Sequence, residues 1–219
     1  KGRRVGGRLS RRLHEDLVLT HGASHSGGWP RYLQPWIDEA ESLGYLNTSS
    51  KDEHTVVDGP ALLSHWLEGN DVITSTKVTK LEADDERWHI TDEDGHQWQA
   101  SGVVLTAPLP QATDLLGDLA PSDWSEPVYD PTWTVLVRCS TPPPREWTNH
   151  LLDEQHVVFT TTGEGSYGAV AHLNTAWSRT NLEFSRADVL DAMTSEWSTL
   201  SNEVKSWLTG ASLHAHRWR

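Results

Sequence analysis

Gly6 and Gly7 stand together ahead of Arg8, and this triplet points more directly to a function than any other feature of the 219-residue chain. Only residues without a β-carbon let backbone N–H groups come close to a bulky anion. Arg8 adds a planar fork of donors matched to phosphate oxygens, a geometry that lysine does not reproduce. Taken alone, Val5-Gly6-Gly7-Arg8 also describes a surface turn that carries a solvated arginine.

Charge sharpens the choice. Lys1, Arg3, Arg4, Arg8, Arg11 and Arg12 fall in the first twelve residues with no acid among them, in a chain whose net charge is −13. The strongly acidic remainder repels nucleic acid and anionic lipid, which argues against a general polyanion-binding role. Ser10-Arg11-Arg12 mimics a twin-arginine signal, but His14, Glu15 and Asp16 follow where an apolar stretch is required. No apolar run approaches the ~18 residues of a membrane span. The single cysteine, Cys139, excludes an intrachain disulfide and fits a reducing compartment, so a cytoplasmic location is expected. Its β-prone flank, Trp133 to Arg138, reads as a strand that buries the thiol.

Punctuation and periodicity divide the chain. Leu17 to Thr20 reads as a short strand, and Gly27 to Pro30 as a break. Tyr32, Leu33, Trp36, Ile37, Ala40 and Leu43 recur at helical spacing, and Ala61 to Leu67 reads as a second helix closed by Gly69-Asn70. Val72 to Ser75 follows as a strand, and residues 77 to 106 give three more, Val103 to Thr106 among them, with Asp94-Gly95 as a hairpin turn. Leu109 to Leu116 is expected as a helix, Thr132 to Ser140 as a strand, and Pro142-Pro143-Pro144 as an extended loop. Strands near Val157 to Thr161 and Tyr167 to Leu173, a helix from about Ala187 to Leu200, and a strand from Leu213 to Trp218 complete the pattern.

Other chemistries find little footing. His214 and His216 share a strand face, and His21 and His25 are four apart, but no H-E-x-x-H or C-x-x-C supplies a full set of zinc ligands. There is no G-x-S-x-G nucleophile elbow. The twelve tryptophans suit an aromatic pocket over a planar ring, and equally a set of core residues, the reading favoured for at least three-quarters of them.

One succession of segments points further. In order come Gly6-Gly7-Arg8-Leu9-Ser10-Arg11-Arg12, His21-Gly22-Ala23, Val57 to Leu67, Lys77 to Glu82, Arg87 to Ile90, Val103 to Pro108, Ala176-Trp177-Ser178 and His216 to Arg219. Together they resemble the FAD-dependent amine oxidase superfamily, and within it the renalase-like branch. The resemblance spans essentially the whole chain, and its ordering is more specific than any single segment.

That resemblance implies an α/β (α+β) fold: a Rossmann-like FAD/NAD(P)-binding domain with a β-meander, incomplete here, and a substrate domain with an antiparallel sheet. The expected boundaries are 1–27 and 53–108 for the first and 28–52 and 109–219 for the second. It also implies that Arg8, with Gly6 and Gly7, holds the diphosphate of FAD. By the same resemblance Ser24 and His25 lie beside the cofactor, and the backbone of Val78 meets its adenine. Implied too is a small-molecule substrate, a reduced dinucleotide isomer or an amine, giving a hydride to flavin that dioxygen reoxidises. The family's Gly-rich turn and acidic ribose clamp would precede Lys1, and its closing G-D segment would follow Arg219. The chain therefore reads as truncated at both ends and, alone, colourless or only weakly bound to FAD. The alternative is a noncatalytic remnant or binding domain that keeps the fold without flavin.

Overall fold

The computed structural model describes residues 4–14, 17–23, 25–27, 29–50, 53–125, 127–154, 156–161 and 165–218. In chain order these form β1 (Arg11–His14), β2 (Leu17–Thr20), β3 (His25–Gly27), α1 (Gln34–Ser42), β4 (Leu46–Ser50), β5 (Glu53–Val56), α2 (Gly59–Trp66), β6 (Val78–Ala83), β7 (Trp88–Asp92) and β8 (Gln97–Ala100). There follow α3 (Leu109–Leu116), β9 (Thr132–Cys139), α4 (Arg145–Glu154), β10 (His156–Thr161), β11 (Tyr167–His172), α5 (Thr175–Thr180), α6 (Arg186–Trp197), α7 (Asn202–Thr209) and β12 (Ser212–Trp218). The chain makes two compact units, one of Gly69–Tyr129 with residues 4–5, the other of Gly6–Glu68 with 130–218.

The larger unit is organised by β9. This strand lies inside a four-stranded antiparallel sheet of order β10-β11-β9-β12 and is buried along nearly its whole length. A strand covered on both faces reads as a continuous apolar run instead of an alternation, and Trp133-Thr-Val-Leu-Val137 is such a run. Trp133, Val135 and Val137 face one side, where they meet Val189, Met193 and Trp197 of α6, Val204 and Leu208 of α7, and Trp147 and Leu151 of α4. Val135 is paired with Ala171 on β11 and Ala215 on β12. Those small neighbours leave room for the Trp147 and Trp197 indoles, which pack edge to face with centroids 5.5 Å apart.

Leu136 and Val170 point to the opposite face and are closed by Leu17 and Leu19 of β2, all four essentially inaccessible to solvent. The fit depends on Gly168, because a β-carbon there would lie 2.8 Å from Leu19 Cδ2 and 2.9 Å from Leu17 Cδ1. β2 pairs antiparallel with β1. A separate core of Ile37 and Ala40 from α1, Leu46 from β4, Val56 from β5 and Leu62 from α2 lies under a three-stranded sheet of order β3-β5-β4. α2 starts at Asp58, whose carboxylate accepts from Ala61 N at 3.0 Å and pairs with Arg11.

The smaller unit is a meander, β6-β7-β8, with α3 against β6 and Leu81 and Ala112 buried. The Asp94-Gly95 turn joins β7 to β8 as expected, with Gly95 at φ 85°. Burial alone would push the Asp92 carboxyl up. Donation from the His96 ring and from the His96 and Asp94 amides outweighs it and holds the group below the usual range.

Two expectations need correction. Val72 to Ser75 and Val103 to Thr106 are not strands, and Val72, Ile73 and Val104 are exposed. A strand requires a neighbour that takes up its backbone groups, and among the described residues every strand pair is antiparallel and none includes these segments. The apolar spacing from Tyr32 to Leu43 also overstates the buried face of its helix. Residues 31–33 form a 3-10 turn before α1, only Ile37 and Ala40 of α1 are buried, and Tyr32, Trp36 and Leu43 face solvent.

Truncating Leu19 to Ala removes the contact between β2 and the sheet and should cost about 2–5 kcal/mol, as buried leucine truncations do. Leu13→Ala on β1, whose side chain is 69% exposed, should stay within about 0.5 kcal/mol. Urea denaturation of the two variants beside the parent chain checks the difference.

Candidate functional site

The Gly6-Gly7-Arg8 segment forms a 3-10 turn over Gly7–Leu9, closed by Leu9 N donating to Gly6 O at 2.7 Å. Gly6 has φ 119° and Gly7 has φ 48°, a pair of left-handed conformations that L side chains resist. A β-carbon on Gly7 would meet nothing within 4 Å, so one side of the turn faces open space. On the other side Gly6 and Leu9 rest on Pro60 and Gly59 at the start of α2, where a β-carbon at Gly59 would lie 2.6 Å from Leu9 O.

From this turn the backbone runs against the segment that leaves β2. Ala23 N donates to Arg8 O at 2.8 Å, and His21 N and Gly22 N donate to Ser10 O at 3.2 and 3.1 Å. Gly22 is obligatory here, since a β-carbon would fall 2.0 Å from Arg8 O. Arg8, Gly22 and Ala23 line one part of a cleft of about 220 Å³. The remainder comes from the end of the four-stranded sheet: Asp130 and Thr132 leading into β9, His172 ending β11, and Trp218 near the end of β12. Antiparallel register assembles this rim, because Thr132 pairs with Trp218 and His172 with Thr134.

The electrostatics of the cleft are mixed. Asp130 is paired with Arg179, which offsets its charge beside the exposed Arg8. His172 Nδ1 is 3.1 Å from Thr134 Oγ1. Trp218 donates its indole N–H to the His21 carbonyl at 3.0 Å, so the segment that holds Arg8 also holds the indole. Arg217 turns away, lying 5.3 Å from the Trp133 ring centroid and donating to Leu182 O.

The expected site residues are therefore distributed as follows. Gly6, Gly7 and Arg8 share one turn, and Arg8 reaches the cleft. Ser24 lies outside the described residues. His25 opens β3, with its backbone opposite Thr55. Val78 opens β6 in the meander unit, with its backbone opposite Asp92. Asp130, Thr132 and His172 were not foreseen, because no sequence spacing links them; the segments carrying Gly22, Ala23 and Trp218 were. Of the tryptophans, Trp133, Trp147 and Trp197 are core, and Trp29, Trp36 and Trp124 are exposed.

Two further groups are defined by their surroundings. Asp92, Asp94 and His96 place three ligand-type atoms within 4.8 Å of one another, the one such group among the described residues, but the Asp92 oxygens already close the hairpin turn. Cys139 is buried, and burial pushes its thiol up to about 11, out of the range of a nucleophile at neutral pH.

No family model matches the chain. Solved structures do share its fold. It superposes on cyclohexylamine oxidase from Brevibacterium oxydans IH-35A with a TM-score of 0.55 at 10% identity, covering 81% of this chain and 42% of that one. A protein assigned as a protoporphyrinogen oxidase from Exiguobacterium sp. 255-15 matches with a TM-score of 0.55 at 14% identity, over 84% and 44%. For 2,6-dihydroxypyridine-3-hydroxylase from Arthrobacter nicotinovorans the values are 0.50 and 13%, over 88% and 61%. The chain thus spans between 42% and 61% of the length of these structures, and what it shares with them is a mixed helix-and-sheet fold.

Gly22→Ala should force the Arg8 turn and the segment after β2 apart, costing about 1–3 kcal/mol as overpacking does. Amide hydrogen exchange should show the Ala23 N–H losing protection. Gly102→Ala, where an added β-carbon meets nothing, should leave both readouts unchanged.

Proposed function

We propose that this chain is part of a FAD-dependent oxidoreductase of the renalase-like branch of the amine oxidase superfamily. The observation that carries the reading is the delivery of Arg8, by a Gly6-Gly7 turn with two positive φ values, into a cleft shared with Gly22, Ala23 and Trp218. Those segments are the ones whose order in the sequence resembles that family. Solved oxidases of the same fold support the reading.

The donor set suits a diphosphate. Arg8 would take its oxygens through the guanidinium fork, and the open side of Gly7 leaves the close approach that a side chain would block. A cleft of about 220 Å³ is below the roughly 300–1,000 Å³ of complete ligand pockets, so these residues fit one segment of a dinucleotide. Ser24, His25 and the Val78 backbone are proposed as further cofactor contacts. Residues 1–27 and 53–108 are assigned to cofactor binding, and 28–52 and 109–219 to the substrate, with Asp130, Thr132, His172 and Trp218 of the second part reaching the cleft of the first. When bound, the flavin ring supplies a hydride acceptor. The chain's own part is to hold the diphosphate and position the donor, a small molecule taken to be a reduced dinucleotide isomer or an amine, with dioxygen as the final acceptor. No helix among the described residues is long and apolar enough to cross a membrane, and a cytoplasmic location is part of this proposal.

In a form extended at both ends, Arg8→Ala should weaken FAD binding by about 1.5–3 kcal/mol, the range for a hydrogen bond to a charged group. Arg8→Lys should recover only part of this, because the bidentate geometry is lost. Flavin absorbance titrations check the series. Equal affinity of all three versions would remove Arg8 from the site, and no binding by any of them would favour a fold kept without flavin.

A further inference from the structure

His21 is buried, and its imidazole is surrounded mainly by rings. His216 packs edge-on with centroids 4.7 Å away, Trp218 lies at 5.6 Å, and His216 and Trp218 meet at 4.6 Å. Ser10 Oγ is 3.5 Å from Nε2, and among the described residues the buried Nδ1 has no hydrogen-bond partner of good geometry. The ring cluster adjoins the cleft through Trp218, which is one of its walls. His21 is also the first residue of the segment whose amides grip Ser10 O and Arg8 O, and its carbonyl accepts from the Trp218 indole. One short stretch of backbone therefore ties together the Arg8 wall and the Trp218 wall.

We propose that His21 is a positioning residue of the cleft: its neutral imidazole packs Trp218 and His216 together and so keeps the Trp218 wall in register with the Arg8 turn, and its protonation releases that wall. The consequence for ligand binding rests on reading the cleft as the cofactor-diphosphate site, whereas the wall is a matter of packing alone. The charged groups acting on His21 all disfavour its proton. The charged and titratable groups facing the His21–His216 pair are Arg12 from β1, His214 from β12 and Arg186 at the start of α6. The Leu19 carbonyl favours the proton, but burial, followed by the His216 charge, outweighs it and holds His21 down to about 4. Burial together with Arg186 and Arg12 lowers His216 as well.

The sign of the pH dependence follows. The unfolded chain takes up the proton near 6.5 and the packed cluster only near 4, so stability falls as pH drops through that window and levels off below it.

The test follows the Trp218 indole N–H by hydrogen exchange, with the resonance assigned from Trp218→Phe. From pH 7.5 to pH 4.5 the parent chain should lose at least tenfold protection at this site while far-UV circular dichroism still reports the folded state. His21→Phe, which keeps a ring and cannot titrate, should retain the protection, with His21→Gln as the second variant if Phe does not fold. Protection that persists in the parent chain at pH 4.5, or that is lost equally in the non-titrating variant, overturns the proposal. In the extended form, FAD affinity should hold within twofold from pH 7.5 to pH 5, where His21 stays neutral, and should fall at least twofold by pH 4 in the parent but not in the variant. Absence of FAD binding at pH 7.5 would end the cofactor reading alone, since the indole measurement needs no ligand and decides the role of His21 by itself.

Discussion

The contact of Leu17 and Leu19 with Leu136 and Val170 is the joint on which the larger unit depends. A sheet with helices on one face only leaves a row of apolar side chains in water, and β2 is what covers that row. Four side chains with almost no accessible surface do this, over a glycine that leaves no room for a β-carbon. Because β2 continues directly into His21, Gly22 and Ala23, burying its leucines also determines where the next residues emerge, namely at the end of the sheet where β9 begins and β12 finishes. The location of the cleft is thus a by-product of core packing.

This origin separates the backbone of the cleft from its chemistry. Ser10 O and Arg8 O are gripped by amides, and Thr132 and Trp218 face each other through ladder register. Of the lining residues, Arg8 brings a positive charge and Asp130 a negative one that is paired with Arg179.

Much of the secondary structure was legible because it rests on patterns that burial imposes. The run from Trp133 to Val137 declares a strand covered on both faces, and the Asp94-Gly95 turn follows from a positive φ at Gly95. What escaped was structure carried by few apolar residues. α4 buries Trp147 and Leu151, and α7 buries Val204 and Leu208, each pair at i, i+4 in a helix of only eight to ten residues, too short a stripe for periodicity to register. The caps were visible in principle: Ser201 accepts from Val204 N, Asn174 from Trp177 N, and Ser185 closes a capping box with Asp188. β4 and β5 are mostly polar and become strands through their pairing with each other and β3. At the cleft, the glycine-arginine turn was readable, whereas Asp130, Thr132 and His172 sit on separate segments that only the antiparallel register brings together.

The grip of Ala23 N on Arg8 O and of His21 and Gly22 N on Ser10 O has a consequence for how such a chain can change over generations. These bonds use main-chain atoms alone, so they impose almost nothing on side-chain identity at positions 8, 10 and 23. Gly22 is held by sterics, and His21 by its packing against His216 and Trp218. The same scaffold can therefore present a different charge or shape at the rim of the cleft while its main chain stays where it is, which lets ligand preference drift without a penalty in folding.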